Sequence, residues 1–112
     1  MSVVKISNKR STGSLPAIPL MRERIVLSES SFVEMVIWKL PRPLPGSSHA
    51  YKYRIAYVDR SGCVVRFDNE SGKGDHVHIR GLESPYAFST IEALKRAFFR
   101  AVTQVRDEDG DS

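Results

Sequence analysis

Nine residues, Phe32 to Leu40 (FVEMVIWKL), constrain the fold more than any other stretch of the chain. They are rich in β-branched and aromatic side chains and apolar on nearly both faces, the pattern of a strand with neighbours on either side. Directly after them come Pro41, Pro43 and Pro45 in PRPLPGSSH. Three prolines so closely spaced remove ladder donors and fix φ, so the chain leaves the sheet here as an extended connector. A polyproline ligand for the aromatic groove of a partner is the alternative use of such a segment. His49, at its end, reads as a loop histidine.

The other strands follow from alternation. Arg24 to Leu27 is a short β-rich run joined to the central strand by Ser28-Glu29-Ser30-Ser31, a link suited to an antiparallel hairpin. Tyr51 to Val58 places Tyr51, Tyr53, Ile55 and Tyr57 on one face and Lys52, Arg54, Ala56 and Val58 on the other. The next run, Cys63 to Asp68, alternates likewise. A three-residue loop, Arg60-Ser61-Gly62, with Gly62 as a bulge, pairs Tyr57 with Val65, Ile55 with Phe67, Ala56 with Arg66 and Arg54 with Asp68. Cys63 then joins Val65 and Phe67 as a small buried hydrophobe. Residues 69 to 75 read as a glycine-punctuated loop, and His76 to Arg80 as a strand with His76, His78 and Arg80 on one face. Gly81 to Ala87 reads as a further loop. Beyond it, Ile91, Leu94, Phe98, Ala101 or Val102, and Val105 recur at helical spacing, with Ser89 and Glu92 forming a capping-box pattern. The expected architecture is α+β: an antiparallel sheet of about five strands with the C-terminal helix packed on its apolar face.

Charge is segregated along the chain. Residues 1–22 hold Lys5, Lys9, Arg10 and Arg22 and no acid, whereas residues 107–112 hold Asp107, Glu108, Asp109 and Asp111. The first reads as a basic, flexible extension, the last as an acidic, flexible tail, and 23–106 as one folded domain, itself basic. An excess of cations favours an anionic partner, and the acidic tail is suited to shielding a basic surface. A single cysteine excludes an intrachain disulfide and agrees with a reducing, cytoplasmic setting. No apolar run approaches the length of a membrane span, so no membrane partner is expected.

Chemistry concentrates between Val64 and Arg80 (VVRFDNESGKGDHVHIR). Gly72-Lys73-Gly74 allows backbone N–H groups to turn toward an anion, although the spacing is not that of a nucleotide P-loop. Three readings compete for the histidines. His76 and His78 with a carboxylate from Asp68, Glu70 or Asp75 could ligate a divalent ion, opposed by the surrounding cations. Alternatively they are the general acid and base of metal-free RNA cleavage, with Arg54, Arg66, Lys73, Lys52 and Arg80 contacting phosphates and Asp75 orienting a histidine. In the third, there is no chemistry, and Asp68, Asn69, Glu70, Gly72 and Gly74 shape turns that the histidines merely hydrogen-bond.

Several motifs in order, VEMVIWKLPRPLPGSSHAYKYR (Val33 to Arg54), FDNESGKGDHVH (Phe67 to His78) and ESPYAF (Glu83 to Phe88), followed by an amphipathic helix, resemble the TumE family of small bacterial and archaeal toxins. The resemblance covers residues 23–106. It implies the toxin of a type II toxin–antitoxin pair, neutralised by a cognate antitoxin that typically bears a helix-turn-helix DNA-binding domain and so reaches operator DNA indirectly. RNA cleavage is what small toxins of this kind suggest by analogy. The expectation is therefore a candidate endoribonuclease using His76, His78 and Asp75 with no metal and no cofactor. The alternative is a non-enzymatic subunit that binds nucleic acid or a partner.

Overall fold

The structure, a computed structural model, describes residues 16–110. Residues 1–15 of the expected basic extension lie outside the described residues. Six strands follow one another in space in their order along the chain: β1 (Ile18–Ser28), β2 (Ser31–Lys39), β3 (Tyr51–Asp59), β4 (Gly62–Glu70), β5 (Gly74–Ile79) and β6 (Leu82–Pro85). All neighbours are antiparallel. One helix, α1 (Ile91–Glu108), closes the fold. The expected α+β architecture is the one observed.

β1 begins ahead of the Arg24 to Leu27 run, so residues 18 to 22 belong to the sheet rather than to a flexible extension. Extra residues at Leu20 and Leu27 shift its register against β2. The Ser-rich link is a two-residue turn closed by Ser28 opposite Ser31. β6 lies where a loop was expected. With four exposed residues and a proline it carries no alternation to read, and an edge strand tolerates the missing donor of Pro85.

The side chains pointing to the helix make one core. Val33, Met35 and Ile37 from β2, Tyr53, Ile55 and Tyr57 from β3, and Val65 and Phe67 from β4 are buried against Leu94, Phe98, Val102 and Val105 of α1. The helix starts one residue later than the capping-box pattern suggests: Thr90 is the N-cap, its Oγ1 accepting from the Ala93 N–H at 3.0 Å. Asp107 and Glu108 lie in the helix and Asp109 caps it. No helix among the described residues is long and apolar enough to cross a membrane.

The β3–β4 pairing has the expected register at Arg54–Asp68, Ile55–Phe67, Ala56–Arg66 and Tyr57–Val65, but reaches it differently. The turn is two residues, Arg60 and Ser61, and the extra residue is Val64, between the Tyr57–Val65 and Val58–Cys63 pairs. A bulge inverts the alternation beyond it. Val64 is therefore buried and Cys63, paired with Val58, is exposed, which corrects the expectation of a buried thiol.

Candidate functional site

The sheet has one face covered by α1 and an opposite, open face that no other described element covers, and the register decides which candidate residues share each. Two cross-strand rows on the open face hold most of the expected site. One runs Arg22, Val36, Arg54, Asp68, His76 and Pro85 from β1 to β6; the next runs Arg24, Glu34, Ala56, Arg66, His78 and Glu83. Directly opposed side chains in such rows are in contact distance, so non-adjacent segments of sequence converge here. Lys52 stands one row further along, opposite Trp38.

Each histidine on this face has a carboxylate beside it. His76 Nε2 lies 3.4 Å from Glu83 Oε2, and His78 Nε2 lies 3.9 Å from Asp68 Oδ1. The Arg66 Nε–H donates to Asp68 Oδ2 at 3.0 Å, so Asp68 stands between a guanidinium and an imidazole. The Lys52 ammonium donates to the Asn69 carbonyl oxygen. Arg54 is exposed and takes part in no ion pair among the described residues. The arrangement can hold two oriented imidazoles about 7 Å apart along one strand, with cations on the adjoining strands.

Asp75, expected to orient one of these histidines, lies on the opposite face. It pairs with Asn69 in the sheet and its Oδ2 accepts from the Tyr53 hydroxyl at 2.6 Å and from His49 Nε2 at 2.7 Å. His49 Nδ1 accepts from the Tyr51 N–H at 3.1 Å, which leaves the ring proton on Nε2 to donate to Asp75. The imidazole is stacked on Phe88 with centroids 3.9 Å apart. Burial, reinforced by the hydrogen bond to Asp75 and its charge, pushes the Tyr53 phenol well above its ordinary range. The carboxylates beside His76 and His78 are thus Glu83 and Asp68, and the histidine held by Asp75 is the one that reads as a plain loop residue. Nothing local in sequence marks His49. Its role comes from the proline-rich connector folding back onto β5.

That fold-back also reshapes the glycine-punctuated loop. β4 runs to Glu70 and β5 resumes at Gly74, leaving only Ser71, Gly72 and Lys73 as the turn. The Gly72 N–H donates to the Pro45 carbonyl at 2.7 Å and the Lys73 N–H to the Glu70 carbonyl at 3.1 Å. These two N–H groups are occupied, and an anion cradle needs them free. Lys73 Nζ sits 3.3 Å from Glu70 Oε1, both side chains largely exposed. Asp68 and Asn69 are strand residues. Asn69 is fully buried, its Nδ2 donating to the Tyr51 carbonyl at 2.7 Å and its Oδ1 accepting from the Tyr53 N–H at 3.0 Å.

Arg80 does not continue the His76 and His78 face. It follows β5 in a turn with φ of 51°, and its guanidinium reaches the end of α1. There Nη2 donates to Asp109 at 3.0 Å and to Glu108 and the Val105 carbonyl at 3.3 Å. The positive end group at a helix C-terminus complements the dipole. Of the acids expected to shield a basic surface, Glu108 and Asp109 pair with Arg80.

Among the described residues no group of three or more His, Cys, Asp or Glu side chains is arranged to hold a metal ion. Cavities of about 360 Å³ beside Ile79, Leu82 and Val105 and of about 390 Å³ beside Leu20, Tyr51 and Thr90 lie away from both open-face histidines.

The family model described as Toxin TumE matches residues 16–106, the whole of the sheet and nearly all of the helix. The chain belongs to the TumE family. The match takes in the first part of β1, upstream of the resemblance seen from residue 23. TumE is a toxin family, and a toxin implies an antitoxin partner in general. No curated protein and no solved structure matched the chain.

Proposed function

We propose that this chain is the toxin of a type II toxin–antitoxin pair, that it cleaves RNA on the open face of its sheet, and that a cognate antitoxin neutralises it in the cytoplasm. A helix-turn-helix domain on that antitoxin links the pair to operator DNA. The observation that carries the RNA reading is the pair of carboxylate-flanked imidazoles, His76 with Glu83 and His78 with Asp68, on a face that also presents Arg54, Arg66 and Lys52.

In this reading one imidazole removes the 2′-OH proton as that oxygen attacks the adjacent phosphorus. The other protonates the departing 5′ oxygen, so the products end in a 2′,3′-cyclic phosphate and a 5′-OH. Arg54 and Arg66 meet the charge that builds on the phosphoryl oxygens. Asp68 and Glu83 stand beside the rings and fix their orientation. The second reading, a non-enzymatic subunit that docks nucleic acid or an acidic partner segment, draws on one observation: the two imidazole side chains are only 18% and 23% exposed.

Purified protein freed of antitoxin and given end-labelled RNA in excess EDTA tests the two. Cleavage to cyclic-phosphate ends is the expected result. RNA that binds but stays intact, with or without added divalent ions, supports the docking subunit instead.

A further inference from the structure

Trp38 has no part in the chemistry above, yet it stands on the same face. It is the only tryptophan of the chain, placed on β2 opposite Lys52 of β3 and Pro19 of β1, and half-buried. The interior of the fold does not claim it, because its neighbours along the strand, Ile37 and Met35, supply the core on the other side. We propose that Trp38 is a base-stacking platform and that the open face takes single-stranded RNA, a reading that rests on RNA being the substrate.

Three features of the sheet carry it. An aromatic ring on a solvent-facing antiparallel sheet, flanked by cations, offers a π-face to any unpaired base and charge to the phosphates beside it. In a duplex that π-face has no base to meet, since the bases are stacked on one another. The geometry also sets a path: His76 lies three strands from Trp38, about 14 Å across the sheet, and one row along it. Lys52 and Arg54, successive open-face residues of β3, lie between the two. A base seated on Trp38 therefore leaves its strand running over Lys52 and Arg54 to the imidazoles. The other open-face aromatic, Phe32, is taken, with the Arg24 guanidinium 3.8 Å above its ring.

The lone tryptophan makes the test direct. Intrinsic fluorescence of the full, antitoxin-free chain is titrated with a non-cleavable single-stranded oligoribonucleotide of about 12 nucleotides, and separately with its duplex, while anisotropy of an end label reports binding. The expected result is binding of the single strand with quenching of Trp38, and about tenfold weaker binding of that strand by Trp38→Ala than by Trp38→Phe. Binding of single strand and duplex alike with the indole unquenched overturns this inference and leaves RNA as the substrate. Failure of every RNA form to bind overturns both. The quenching arm uses the unaltered chain, so it stands even where a Trp38 variant folds poorly.

Discussion

Asn69 shows how far one side chain's role can depart from its local context. In sequence it opens a polar loop; in the fold it is fully buried and its amide satisfies the Tyr51 carbonyl and the Tyr53 N–H. Asn69→Ala leaves two buried backbone groups without partners and is expected to cost about 2–4 kcal/mol, read as a lower midpoint in denaturant. Tyr53 gives a pH signature. Burial and Asp75 raise its folded pKa above that of the unfolded chain, where a phenol ionises near 10. Its contribution is thus fully present below about pH 10 and is lost as pH rises, because the unfolded state then releases a proton that the folded state keeps. Tyr53→Phe should flatten the alkaline loss of stability, leaving the smaller part due to Tyr86, whose pKa is raised by burial and then by Asp75. Neither Asn69 nor Tyr53 advertises this in sequence. The partners lie 16 to 22 positions away and meet only through the sheet register.

At the scale of elements, alternation made β2, β3 and β4 legible, because a half-buried strand writes its two faces into every second residue. The same logic misplaced Cys63, since a single bulge at Val64 inverts the pattern without changing the composition. β6 was illegible for want of length. The helix cap was ambiguous because Ser89 and Thr90 are both good caps; the structure selects Thr90, so Thr90→Ala should cost about 1 kcal/mol and Ser89→Ala far less. The connector between β2 and β3 is held to the β4–β5 turn at two glycines. Gly46 has φ of 85°, and a Cβ there meets the backbone carbon of Gly72 at 3.3 Å; Gly72 has φ of 82° and open space. Gly46→Ala should therefore destabilise by more than the roughly 1–2 kcal/mol of left-handed strain that Gly72→Ala suffers alone. Thermal denaturation of the two variants, side by side, separates contact from strain.

For the molecule as a whole, the division of labour is between the two faces of one sheet. The covered face carries the core and the His49–Asp75–Tyr53 network, which ties the proline-rich connector to β5. The open face carries Arg54, Arg66, His76 and His78. Fold class and the grouping of these four were legible, because strand parity alone puts them together. Asp75 and Arg80 were not: Asp75, read as a loop residue, is the second residue of β5 and so faces the side opposite His76, while Arg80, read as continuing the strand, lies in the turn beyond it. A phosphate-binding face also predicts a salt response: RNA affinity should fall steeply between low and physiological salt, and Arg54→Ala should make that slope shallower by about one contact. The most direct measurement is the rate of RNA cleavage by His76→Ala and by His78→Ala, each verified as folded and still bound by antitoxin. A loss of about 100- to 10,000-fold in each is the predicted result. Cleavage at the unaltered rate by either variant contradicts the assignment of the chemistry to the open face.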